Sequence, residues 1–477
     1  MMRRRYYTVL LICALSAGAG CKKLVDVGLP EGKVVNDLVF TDEKMAEASV
    51  RGLYSPNIMQ LTNTAALYIT NGGVTVLGGL SADEMAYTGS SNNYLPFYTN
   101  DLNEDISALS TLWTRAYMVI YHANACIGGL ADSDGITKAA KDRLTGECLF
   151  VRSFYYFYMV NLFGDVPLVT GTDYTVNATM PRTPAAEIYR RIREDLTMAV
   201  EMMDDINPVE KKVRPSKWTA AALLARVHLY QREWEQAEKY ATQVLTAQRY
   251  ALLDDLTKVF RHNSPEALWQ ISGATPSNPY SYTTEGNSFT AGAALSTYLS
   301  EQLMASFEPG DARKDHWVLM RTFAGIEYPH PYKYRVNYAN GTSENEEGYM
   351  MMRYAEMYLV RAEAYARSNQ VQLALADIDS LRQRAGLTLL STQTPLPSQE
   401  QTLRLVEQER RTELFCEWGH RWLDLKRTPG FVKPALTRAD EVLGPLKPLW
   451  KSTAVLFPIP VSQRLLNNNL DQNPGYN

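Results

Sequence analysis

The side chains best suited to chemistry in this chain are its tyrosines. There are 29, against 13 phenylalanines and 8 tryptophans in 477 residues. A phenol offers a flat apolar face and a hydroxyl, which suits a wet, polar ligand such as a sugar. The aromatic residues gather in two stretches that lack helical periodicity. The first, 69–107, is rich in Gly, Asn, Ser and Tyr and carries Tyr94, Phe97 and Tyr98. The second, 250–348, carries Tyr280, Tyr282, Trp317, Tyr332 and Tyr334. Long irregular segments are uncommon in compact domains and often carry binding. These eight residues are the candidate ligand contacts, although core packing competes for every one of the rings.

Covalent chemistry finds no such support. HExxH, GxSxG, GxGxxG and P-loop patterns are all missing from the sequence. Glu417, Gly419 and His420 fall together in CEWGHRW and invite a catalytic or metal reading. Their helical spacing favours a structural one instead, with Glu417 pairing with Arg421 and Glu407 with Arg411, each four residues on. Asp101, Asn103 and Asp105 begin a calcium-loop spacing, but Ile106 and Leu112 stand where Gly and Glu are needed. They are expected to cluster ahead of a helix N-terminus. The sequence predicts no cofactor and does not say whether calcium braces the loops. A glycoside hydrolase needs only two placed carboxylates among 52 acids and is the rival class. A scaffold whose loops bind nothing is the third. The net charge of −4 includes Arg3, Arg4 and Arg5, and gives no footprint for nucleic acid.

Helices must position these loops. In Tyr354–Gly386, Tyr354, Met357, Tyr358, Arg361, Ala362 and Tyr365 share one face, Ser368-Asn369-Gln370 breaks the pattern, and Ala374, Ile378 and Leu381 resume it. Ala362 and Ala374 stand twelve apart across that turn. Ala225 and Ala237 do the same across Gln231-Arg232-Glu233. Small residues at this interval match a tetratricopeptide-like helical hairpin, which must stack on copies to bury its apolar face. The repeat units are expected at about 109–163, 184–249 and 350–386. The chain is therefore mostly α, a helical-hairpin scaffold holding irregular loops. Expected caps are Thr41 for a helix through Tyr54, Thr183 ahead of Pro184, and Ser398 for a helix running from Glu400 to Trp418.

At the N-terminus, three arginines precede an apolar run from about Val9 to Ala17, then Gly18-Ala19-Gly20 and Cys21. This is a signal peptide over 1–20. Because its small residues end on Cys, it resembles a bacterial lipoprotein signal, with Gly18 where the usual Leu would stand. Lipid on Cys21 would anchor the chain at about 0.8 kcal/mol per buried CH₂. Residues 21–37 read as a tether. Cys126, Cys148 and Cys416 sit in apolar helical patterns as buried thiols; a disulfide among them stays open.

Several segments, in order, resemble the SusD/RagB family of outer-membrane lipoproteins. They are CKKLVDV at 21–27, GECLFVRSFYYFYMVNLFGDVPLV at 146–169, RTPAAEIYRRIREDL at 182–196 and KWTAAALLARVHLYQREWEQA at 217–237. MRYAEMYLVRAEAYA at 352–366, ERRTELFCEWGHRWLDLKR at 409–427, FPIP at 457–460 and QNPGY at 472–476 complete the series. The resemblance implies a single domain over 38–477, held at the cell surface and paired with a SusC-like TonB-dependent transporter. It implies capture of a glycan or peptide for import, without catalysis. No family motif covers the candidate aromatic residues.

Overall fold

Helix follows helix through most of the chain, and from residue 107 onward the long helices pack each on its predecessor. The structure is a computed structural model that describes residues 39–55, 68–205, 212–274, 281–291, 296–344 and 346–476. The signal peptide, Cys21, the tether and Tyr280 lie outside the described residues. Early helices are α1 (Glu43–Gly52), α2 (Val74–Ser81) and α3 (Leu95–Thr99). The stack consists of α4 (Ser107–Asp132), α5 (Lys138–Phe163), α6 (Ala185–Met202), α7 (Lys217–Tyr230), α8 (Trp234–Thr246), α9 (Tyr354–Arg367), α10 (Val371–Arg384) and α11 (Gln399–Glu413). Two shorter helices, α12 (His420–Arg427) and α13 (Arg438–Leu443), close it. Such a stack shares one core between neighbours, and the whole is a single helix-rich domain.

The two alanine-spaced hairpins turn in the same way. Arg232 and Asn369 are both left-handed, at φ +60° and +57°. The N–H of the next residue donates five residues back in each, Glu233 to His228 O at 2.9 Å and Gln370 to Tyr365 O at 2.8 Å. That double feature satisfies carbonyls left open at a helix end. Ala225, Ala237, Ala362 and Ala374 are all fully buried, which lets the paired helices approach closely.

Bidentate arginine–carboxylate pairs cross the stack. Arg152 holds Asp195 at 2.8 and 2.9 Å and Asn124 at 2.8 Å, joining α4, α5 and α6. Arg226 holds Glu356 at 2.6 and 2.5 Å, joining α7 to α9. Arg361 holds Asp377 at 2.8 and 2.6 Å, joining α9 to α10. Buried pairs of this kind fix geometry more than they add stability.

The stretch between α8 and α9 carries short strands instead of helix pairs. Among the described residues, β1 (Met85–Tyr87) pairs with β3 (Thr297–Leu299), β2 (Ala267–Ser272) with β6 (Gly348–Arg353), and β4 (Val318–Phe323) with β5 (Ile326–Pro331), all antiparallel. Arg353 ends β6 and begins α9. From there its guanidinium reaches Glu417 (2.8 and 3.1 Å), Glu413 (2.5 Å) and Glu266 (3.2 Å). This buried knot ties the strand-bearing block to the helical stack.

Several local expectations are corrected. Asp42, not Thr41, caps α1 by accepting from Met45 N at 3.0 Å. Pro184, not Thr183, stands at the α6 N-cap, and the Asp165 carboxylate accepts from Ala185 N at 2.7 Å. Ser398 does cap α11, in a reciprocal box with Gln401. That helix stops at Glu413 rather than Trp418, because Cys416, Trp418 and Gly419 all turn left-handed. A Cβ on Gly419 would stand 2.9 Å from Val74 O, so only glycine allows this turn against α2. The turn delivers Glu417 to Lys333 (2.6 Å) and Arg353 instead of Arg421. Arg421 and Arg411 both hold Asp83. Cys126, Cys148 and Cys416 are free and buried.

Candidate functional site

An open cleft of about 530 Å³ carrying two tyrosines lies over β1, β3, α3 and the loop 446–449. Pairing of Tyr87 with Thr297 and Met85 with Leu299 brings the two aromatic blocks together across its floor. α3 carries Pro96 in its first turn, at a position that needs no N–H, and is capped by Asn100 in the left-handed conformation. That single turn sets Tyr94 and Tyr98 four residues apart, on one face.

Tyr98 and Tyr298 line the cleft, both half-buried. Tyr298 meets Tyr328 of the β4–β5 hairpin edge to face, with centroids 4.9 Å apart. Burial raises the Tyr298 phenol above its ordinary value, with Tyr98, Tyr328 and Glu301 adding to the effect. Tyr94 packs on Tyr87 at 5.7 Å beside this group. The hairpin tip turns through Ala324 and Gly325, both left-handed, and leaves Met320, Phe323 and Ile326 about half exposed.

Polar groups interleave with the rings. Asp83 is buried; desolvation would raise its carboxyl, but the Arg421 and Arg411 guanidinium groups outweigh it and hold it far below the carboxylate range. Lys447 donates to Leu80 O and Ser81 O (2.5 and 3.0 Å), open carbonyls at the end of α2, and its Nζ stands 5.6 Å from the Tyr98 ring centroid. Burial pushes this amine down to about 7, with Asp83 partly opposing. Ser300, Glu301 and Gln302 complete the rim. The arrangement offers ring faces for stacking and side-chain donors and acceptors for hydroxyls. Of the carboxylates lining the cleft, Asp83 is committed to two arginines and Glu301 stands on the rim.

The structure divides the aromatic candidates. Phe97 is fully buried against Phe457, at 5.1 Å. Trp317 is fully buried; its Nε1 donates to Leu256 O at 3.0 Å, and Lys333 Nζ stands 4.7 Å from its ring. Tyr334 is buried between Phe260 and Tyr349 and accepts from Met350 N at 2.9 Å. These three build the core and offer no face to a surface ligand, a correction to their choice as contacts. Tyr282 and Tyr332 are half-buried and stand outside the cleft lining, Tyr332 beneath the Arg335 guanidinium at 4.8 Å. Tyr298 is a cleft residue that sequence reasoning did not select, and Tyr328 backs it from outside the lining. Nothing local marks Tyr298, since its strand is three residues long and its partner strand lies some two hundred residues earlier.

The described residues hold no group of three or more His, Cys, Asp or Glu side chains suited to a metal. No helix among them is long and apolar enough to cross a membrane.

Comparison with known proteins agrees with this architecture. The SusD family profile matches residues 321–476, and a second profile, described as starch-binding associating with outer membrane, matches 58–229. The chain belongs to the SusD/RagB family. A SusD-like protein P2 of Formosa agariphila is 27% identical over 98% of this chain and 99% of its own length. The starch-binding protein SusD of Bacteroides thetaiotaomicron is 23% identical over 83% and 84%. Among solved structures, a SusD superfamily protein of Bacteroides vulgatus superposes with a TM-score of 0.76 at 19% identity, covering 91% of this chain and 99% of that one. A laminarin-binding SusD-like protein gives 0.74 at 24%, covering 91% and 100%. At these identities the structural likeness establishes the shared SusD fold.

Proposed function

We propose that this SusD-family chain binds a glycan in the Tyr98–Tyr298 cleft and passes it, unaltered, to a SusC-like TonB-dependent transporter. In this reading lipid on Cys21 anchors it at the outer face of the outer membrane. The observation that carries the proposal is the open cleft in which tyrosines from distant parts of the chain converge beside polar groups. Names of relatives that bind starch and laminarin support a glycan as the ligand class. The committed state of Asp83 supports capture without hydrolysis.

The test is a panel of oligosaccharides and peptides against purified protein starting after Cys21. The expected result is binding of at least one glycan with no new reducing ends after prolonged incubation. Release of reducing ends, abolished by Glu301→Gln, would make the protein a hydrolase. Binding of peptides alone would change the ligand class. Co-purification with a β-barrel partner from outer membranes tests the pairing separately.

A further inference from the structure

A second, much smaller cavity lies where α9, α11 and α12 meet. It measures about 20 Å³ and is lined by arginines 367, 410, 421, 427 and 438 with Glu363, Glu407 and Asp424. That is room for one species the size of a water molecule or a small ion.

The arginines are nearly matched by acids, but not fully. Arg410 pairs with Asp424 at 2.7 Å, Arg427 with Glu363 at 2.6 Å, and Arg421 with Glu407 and Asp83 at 2.8 and 2.7 Å. Arg438 uses Glu407 and Glu441 at 3.1 and 2.5 Å, and Arg411 uses Asp83 at 2.7 Å. Among the described residues, Arg367 reaches one carboxylate, Glu363, already held by Arg427, at 3.9 Å, and its guanidinium lies 5.6 Å from the Trp234 ring. One positive charge in the cluster is left without a carboxylate of its own.

Hydrogen bonding shows the same deficit. Arg410 is 3% exposed, its Nε and Nη2 both go to Asp424, and its Nη1 has no partner. The Arg367 Nε is likewise buried and unpartnered. A guanidinium only donates, and a buried donor without an acceptor costs about 1–3 kcal/mol. A neutral water would accept one of these N–H groups but leave the charge.

We propose that this cavity binds a single small monovalent anion of the halide class, held by Arg410 Nη1 and Arg367 Nε. The anion completes the joint between α9, α11 and α12 and is independent of glycan binding.

Crystals grown in bromide test the site directly. The expected result is an anomalous peak within about 3.5 Å of Arg410 Nη1, the reach of a charge-assisted contact. In solution, chloride or bromide in place of gluconate at equal ionic strength should raise the melting temperature by about 2 °C at tenfold the dissociation constant. Arg367→Met should erase that difference. If this variant does not fold, the bromide peak in the natural protein decides alone. A water or empty density at that position in bromide overturns the proposal, as does a melting temperature indifferent to the anion.

Discussion

Replacing Glu84 by Gln should remove a pH-dependent loss of stability, so that the variant gains on wild type as the pH rises from 5 to 8. Glu84 lies between Asp83 of the cleft floor and β1, and it is 1% exposed. Neither carboxyl oxygen has a well-formed hydrogen bond. Burial pushes the group from 4.5 to about 7, with the Cys416 N–H and Lys333 only partly opposing. The folded state therefore keeps this proton longer than the unfolded chain does. Below the unfolded value both states are protonated and nothing is lost. Between 4.5 and 7 folding must increasingly hold a proton against solution, and above 7 the deficit is constant at about 3 kcal/mol. About 2 kcal/mol of it develops between pH 5 and pH 8. An amide has nearly the same shape and no charge, so E84Q removes the pH-dependent part. Any cost of burying its NH₂ group is the same at both pH values and cancels. The assay is urea unfolding of both proteins at pH 5 and pH 8. The variant should gain about 2 kcal/mol relative to wild type on going from the lower to the higher pH. Parallel stability–pH curves for the two proteins would refute the assignment of Glu84 as a strained, desolvated acid.

Other perturbations separate core from cleft. Glu413→Gln weakens a carboxylate shared by Arg353, Arg384 and Arg313 and should cost about 3–5 kcal/mol, whereas Glu400→Gln at an exposed pair with Arg404 should cost less than about 0.5 kcal/mol in the same urea experiment. Trp317→Ala should cost about 3–5 kcal/mol of stability, because the ring fills the core. Ellman's reagent should find no reactive thiol in native protein starting after Cys21 and three after denaturation, since Cys126, Cys148 and Cys416 are free and buried. Tyr98→Ala and Tyr298→Ala should each weaken glycan binding by about tenfold or more, the scale of one lost ring contact, with melting temperatures near wild type.

Local rules explain why much of the scaffold was legible. Ala225–Ala237 and Ala362–Ala374 reported hairpins whose turns repeat down to the left-handed residue, because helix crossing and turn chemistry are set within a dozen residues. Ser398 capped its helix as expected, for the same reason. Errors began where long-range contacts decide. Thr41 and Asp42 are equally good caps in a string of letters, and only the entry path of the chain chooses Asp42. Glu417 and Arg421 have helical spacing, yet three left-handed residues break the helix so that Glu417 can reach Lys333 and Arg353. Among aromatic residues the ambiguity was greatest. Trp317, Tyr334 and Phe97 have the same flanking polarity as Tyr98, but ring packing with Phe260, Phe415, Tyr349 and Phe457 takes them inside. Tyr298 becomes a site residue only when β1 meets β3 and the hairpin bearing Tyr328 folds beside it.

Isothermal titration with the best ligand from the glycan panel, run on wild type, Y298A and a folded control such as E400Q, bears most directly on ligand capture at the tyrosine cleft. Saturable one-site binding in wild type and the control, lost or weakened by about tenfold in Y298A, is the expected result. Equal affinity in all three proteins would contradict it and move the binding face elsewhere on the molecule.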